Sequence, residues 1–214
     1  MSVSAIQFFQ SKPEAHLQIS FHGHSPEEDT YLAKQFGPRS LNKRKENKKA
    51  LLQDLSIDKA KMALPLIVIV ASWFTSAKER ELLESVMTGL KEVDGHILVL
   101  ADKSICAHAL LALFQQLEVS QKNLHQALAA GDMILLPEGC SENITTACHH
   151  YGIVPIASTS QPMMRNYDPA QETGNSFLYQ QASPWSMFAA VIRALETFKL
   201  PYDWQRIQKN GMEK

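Results

Sequence analysis

Four short apolar runs recur along the chain: LPLIVIVAS at residues 64–72, HILVLAD at 96–102, DMILLP at 132–137 and IVPIAS at 153–158. None of them alternates apolar with polar residues. A strand with one face in water must alternate, because successive side chains point to opposite faces, whereas a strand covered on both sides need not. Each run therefore predicts a strand buried on both faces, which is the habit of parallel sheets. The segments between them carry helical periodicity. Helices are predicted over 42–55, where Ala50, Leu51, Leu52 and Leu55 supply part of an apolar face, and over 77–93, with Leu82, Leu83, Val86 and Leu90 on one stripe. Others are predicted over 104–117, over 123–130, and over 142–151 with Gly152 at the C′ position. The last two are 184–199, opened by Pro184, and 204–212. A short strand is predicted over 176–179. This alternation implies right-handed βαβ units and an α/β, Rossmann-like doubly wound parallel sheet with helices on both faces. Residues 1–40, punctuated by SKPE, HSPEED and FGPRS, read as an irregular N-terminal arm, and 41–214 as a single domain.

Composition fits this picture. The chain has 214 residues, 45% hydrophobic and 20% charged, enough for one globular domain with a sizeable core. A formal net charge of −1 gives no global field toward nucleic acid or an anionic membrane, so neither is expected as a partner. The basic run at 42–49, five cations in eight residues, reads as the solvated face of a helix. The three cysteines, Cys106, Cys140 and Cys148, have no CxxC spacing, which argues against a disulfide scaffold or zinc ribbon and for a reducing, cytoplasmic setting. The opening MSVSAIQFFQSKPEAH lacks a basic n-region, so no secretory signal is expected, and the longest apolar stretch, 62–71, is too short to span a bilayer.

No GxGxxG, GxxxxGK[ST] or GxSxG pattern is present, which removes the dinucleotide, P-loop and hydrolase-elbow fingerprints. His22 and His24 stand two apart, and Cys148, His149 and His150 are consecutive. Neither cluster has metal-ligand spacing, since adjacent helical residues point about 100° apart. These read as surface histidines near a helix end, and no metal or cofactor is expected. In a doubly wound sheet ligands gather at the carboxyl ends of the strands. The segments to weigh are therefore SWFTSAKE, DKSI, PEGCSEN and STSQPMMRN.

Several stretches, taken in order, resemble the C-terminal, nucleotide-sugar-binding half of the bacterial glycogen synthases and starch synthases, retaining glucosyltransferases of GT-B type (glycosyltransferase family 5). EEDTYLAKQF with KENKKALLQDLSI resembles the entry into that half, and LPLIVIVASWFTSAKERELL its first strand and loop. HQALAAGDMILLP, YGIVPIAS, NYDP with TGNSFLY, ALETF and WQRIQKNGM are similar to its later segments. The similarity runs from about Gly23 to the end. It implies a single GT-B C-terminal-type domain. Lys78 matches the family's phosphate-gripping lysine. The family's arginine falls at Trp73, and the glycine after its lysine at Glu79. PEGCSENITTAC is shorter than the family's Glu-Pro-Cys-Gly-Leu-Thr loop, so either Glu138 or Glu142 stands near its glutamate. The Thr-Gly-Gly-Leu loop falls on Ser160, Gln161, Pro162 and Met163, where both glycines are lost and proline offers no amide. The region between Leu117 and Leu124 is compressed.

The donor-binding candidates implied are thus Lys78, Glu138, Glu142 and Ser160. Apart from the resemblance, Lys78 reads as a solvated lysine, the two glutamates as partners of a helix dipole, and Trp73 and Phe74 as core. In the family this half binds ADP-glucose for glucosyl transfer to an α-1,4-glucan. The eroded motifs imply a partial or degenerate copy with weak or no activity alone. The alternative is a non-catalytic α/β domain binding a nucleotide, a glucan or a protein. Partners implied are ADP-glucose or ADP, α-glucan and a separate N-terminal synthase-type domain, toward which the family's chain continues after the segment matching WQRIQKNGMEK.

Overall fold

The structure, a computed structural model, describes residues 25–102, 113–180 and 183–213. Six parallel strands form one sheet: β1 (Leu66–Val70), β2 (His96–Ala101), β3 (Gln115–Glu118), β4 (Met133–Leu135), β5 (Val154–Ser158) and β6 (Phe177–Tyr179). Their order is β3-β2-β1-β4-β5-β6, the doubly wound arrangement. The described helices are α1 (Arg44–Asp54), α2 (Ala77–Leu90), α3 (Gln121–Ala130), α4 (Glu142–His150), α5 (Pro184–Phe198) and α6 (Pro201–Met212). Among the described residues no helix is long and apolar enough to cross a membrane.

Two apolar layers explain why the strand runs do not alternate. Ile67 and Ile69 of β1 join Leu83, Met87, Met187, Val191 and Trp204 on one face of the sheet. Leu66, Val68 and Val70 join Leu52, Leu124, Leu128 and Tyr151 on the other. The helices begin where serines cap them: Ser76, Ser120 and Ser183 each accept a backbone N–H from the first turn. Gly152 takes φ 62°, as its C′ placement requires.

Several expectations are corrected. The helix predicted over 104–117 falls partly on residues 103–112, outside the described set, and its end is strand β3 instead. QQLE lacks an apolar run because β3 is a half-exposed edge strand. Helix α3 starts at Gln121 rather than 123 because Ser120 caps it, and α6 starts at Pro201, suited to a first turn. The basic run is not wholly solvated. Arg44 is buried and gives Nη2 hydrogen bonds to the Leu128 and Gly131 carbonyls at 3.1 and 2.5 Å, satisfying the last turn of α3. Burial pushes its guanidinium down to about 10, partly offset by Asp132, so it stays charged at neutral pH. Lys48 Nζ reaches the Leu64 carbonyl and Asp132 Oδ2, each at 2.6 Å. His149 is 3% exposed, not a surface residue, because its face of α4 packs on α6 near Gly211, whereas His150 is exposed. His22, His24 and Cys106 lie outside the described residues.

Residues 25–37 are irregular yet fastened. Asp29 is buried, and Asn47 exchanges hydrogen bonds with the Lys34 backbone at 2.9 and 2.7 Å. Gly131, whose carbonyl Arg44 takes, marks a tight approach of α3 to the sheet. A Cβ there would stand 2.5 Å from Val68 Cγ2 and 2.6 Å from Ile153 Cδ1. Its φ of −64° is unstrained, so space alone selects glycine. Gly131→Ala is expected to destabilise the fold by about 1–3 kcal/mol. Urea denaturation checks this, and an unchanged midpoint would contradict it.

Candidate functional site

In the strand order, β1 has β2 on one side and β4 on the other, so chain direction divides between β1 and β4. The crevice beyond their carboxyl ends is the topological switch point. The chain leaving β1 makes a tight turn, Ala71–Trp73, and enters α2 through Ser76. The chain leaving β4 passes Pro137 to Glu138, Gly139 and Cys140 before α4. Between them lies an open cleft of about 380 Å³ lined by Thr75, Ser76, Lys78, Glu79, Leu82, Glu138 and Gly139.

Two of the four candidate residues meet there. Lys78, in the first turn of α2, and Glu138, in the loop after β4, line the cleft. Glu142 sits exposed at the first position of α4, outside the lining, where a carboxylate suits the helix dipole. Ser160 is exposed beyond β5, its Oγ donating to Ser158 Oγ at 3.0 Å, and also lies outside the lining. Trp73 is half-buried and Phe74 fully buried, both packed in the core layers.

Sequence reasoning missed what Glu79 and Gln161 do. Glu79 Oε2 accepts the Ser76 backbone N–H at 3.1 Å and the Ser76 hydroxyl at 2.9 Å. Its Oε1 accepts the Gly139 N–H, from the far loop, at 3.0 Å. Partial burial pushes this carboxyl up, but the Gly139, Ser76 and Thr75 donors outweigh it and hold the group below the ordinary carboxylate range. The signal was present: Ser76-x-x-Glu79 is a capping-box pattern. Gln161 Nε2 donates to the Glu138 carbonyl at 2.8 Å and the Cys140 carbonyl at 3.1 Å. The three loops at the switch point are thereby tied to one another.

The cleft's surroundings are acidic. Burial, then the Glu79 charge, pushes the Cys140 thiol up to about 12, so it is not a thiolate nucleophile at neutral pH. Burial first, then Glu138, Glu79 and Cys140, raises the Tyr179 phenol, whose OH donates to the Leu136 carbonyl at 3.0 Å. Among the described residues no group of three or more His, Cys, Asp or Glu is disposed to hold a metal ion.

No family model matches the chain. Curated relatives include the glycogen synthase of Koribacter versatilis, 28% identical over 209 residues, 91% of this chain and 42% of that protein. Glycogen synthase 1 of Synechocystis is 24% identical over 207 residues, 88% of this chain and 42% of that protein. Among solved structures, the catalytic domain of starch synthase IV from Arabidopsis thaliana, bound to ADP and acarbose, superposes with a TM-score of 0.76 at 21% identity, covering 89% of this chain and 43% of that one. WaaG, a glycosyltransferase of lipopolysaccharide biosynthesis, gives 0.54 at 10% identity, covering 78% and 47%. The chain thus spans about 42% of the length of the curated relatives it matches. They are matched over their C-terminal part, and the sheet is the Rossmann-like GT-B fold of the starch synthase catalytic domain.

Proposed function

We propose that this relative of the C-terminal part of the glycogen synthases is a glycosyltransferase domain of nucleotide-sugar-binding type whose donor site is degenerate. The observation that carries the reading is the joint presence of Lys78 and Glu138 on the switch-point cleft, in a chain whose relatives are glycogen synthases. Charge develops on a departing nucleoside diphosphate, and a fixed ammonium beside a helix N-terminus answers it. In this reading Lys78 faces the diphosphate of ADP or ADP-glucose, Glu138 faces the sugar, and Glu142 and Ser160 stand at the rim. An α-glucan would be presented by a separate N-terminal synthase-type domain. Cytoplasm is the setting we assign, in keeping with the free thiols of Cys140 and Cys148.

One observation favours a second reading, a non-catalytic binding domain. Gln161 spends its amide on the Glu138 and Cys140 carbonyls, and Pro162 beside it has no N–H to give a phosphate.

Titration of the ¹⁵N-labelled chain with ADP, followed by amide NMR, tests the nucleotide reading. With ADP raised to about 10 mM, enough to populate a millimolar site, shifts are expected at Thr75, Ser76, Lys78 and Gly139, and Lys78→Ala is expected to weaken them several-fold. Shifts confined to other surfaces, or none in any variant, would sink the reading.

A further inference from the structure

We propose that Glu79 is the specificity-determining residue of the switch-point cleft: its carboxylate fills the anion position between Ser76 and Gly139 and turns the cleft away from free nucleoside diphosphates. The inference rests on the nucleotide-type reading of the cleft and names what controls it.

The geometry goes beyond helix capping. A capping box needs one carboxylate oxygen on the N-cap amide, and Glu79 Oε2 supplies it at 3.1 Å from Ser76 N. The second oxygen leaves the helix. Oε1 accepts the Gly139 amide at 3.0 Å, across 60 positions of sequence and from the loop that follows β4. Backbone amides from both walls of the cleft therefore converge on one negative group that belongs to the chain itself. A diphosphate at a strand-to-helix junction needs the same kind of donor, main-chain N–H groups aimed into the crevice. To use them it must displace Glu79 from both, or sit against a carboxylate whose charge is held in place.

The charge reaches groups beside the cleft as well. Burial first, then the Glu79 charge, raises the Cys140 thiol, and burial, then Glu138, Glu79 and Cys140, raises the Tyr179 phenol. Glu138 lies on the same cleft and adds to the repulsion, while Lys78 is the one cation among the described residues that line it. Two carboxylates and one ammonium on the lining weaken the hold on a diphosphate there.

The test uses the full chain and three forms: wild type, Glu79→Ala and Glu79→Gln. Calorimetry measures inorganic pyrophosphate and ADP separately, and thermal melts show that each form is folded. Removing the carboxylate is expected to tighten pyrophosphate and ADP by about ten- to a hundredfold, the range of charge-assisted hydrogen bonds regained by the ligand. Glu79→Gln keeps an oxygen for Gly139 but no charge, so an intermediate gain is expected, and it carries the test if the alanine form does not fold. Folded variants that bind pyrophosphate no better than wild type overturn the proposal. Micromolar ADP binding by the wild type also overturns it, while leaving the nucleotide reading intact. A gain for pyrophosphate without any for ADP supports the role of Glu79 and sinks the nucleotide reading instead.

Discussion

Asp29→Ala is expected to lower the unfolding free energy by about 2–5 kcal/mol, because two buried groups, the Tyr151 hydroxyl and His125 Nδ1, lose a shared acceptor at about 1–3 kcal/mol each. Asp29 Oδ2 accepts the Tyr151 hydroxyl at 2.6 Å and meets His125 Nδ1 at 2.8 Å, with side-chain exposures of 1% for Asp29 and 0% for His125. Its Oδ1 accepts the Tyr31 amide at 2.9 Å, closing a turn of the amino-terminal segment. Burial first, then the hydrogen bond to Asp29 and its charge, pushes the Tyr151 phenol up, so it remains a neutral donor across the working pH range. Alanine removes the shared acceptor and opens a void in an apolar layer, and water does not reach it easily. Asp29→Asn keeps an acceptor oxygen and is expected to lose less. Urea denaturation followed by circular dichroism reads both, and amide exchange at Tyr31 reads the release of residues 25–37. A midpoint unmoved by alanine would show that this segment is not held by Asp29.

The same contact shows where sequence reasoning stops. Asp29 meets partners 96 and 122 positions away, and no local pattern marks a buried acid in a polar stretch. Arg44 and Lys48 were hidden for the same reason. Their acceptors, the Gly131 carbonyl and Asp132, lie 87 and 84 positions on, so a run of cations looked solvated when two of them turn inward. The central strands were legible because a strand covered on both faces writes its burial directly as an unbroken apolar run. Edge strand β3 writes no such run, since its QQLE is half-exposed. At the site, the resemblance pointed to Lys78 and Glu138, which both line the cleft, whereas the residues alone gave a solvated lysine and a helix-dipole acid. Glu79 was visible as an unwelcome charge, but its bond to Gly139 depends on two loops meeting in space.

Incubated with radiolabelled ADP-glucose and glycogen, the chain is expected to incorporate glucose at least about 10⁴-fold more slowly than a glycogen synthase, since each missing donor to a developing charge costs about 10²–10³ in rate. Donors at two places are out of use. The Ser76 and Gly139 amides serve Glu79. At Gln161–Pro162, proline has no N–H and the Gln161 side chain is committed to the Glu138 and Cys140 carbonyls. The two losses separate affinity from chemistry. Glu79→Ala restores only the first, so it is expected to tighten ADP while incorporation stays at background. A variant that also places glycines at Gln161 and Pro162, supplied with a separate N-terminal synthase-type domain, is the form in which transfer would first rise above it. Incorporation by the wild-type chain that falls on Lys78→Ala would reverse the conclusion, because it would mean the loops open far enough in solution to seat and cleave a donor.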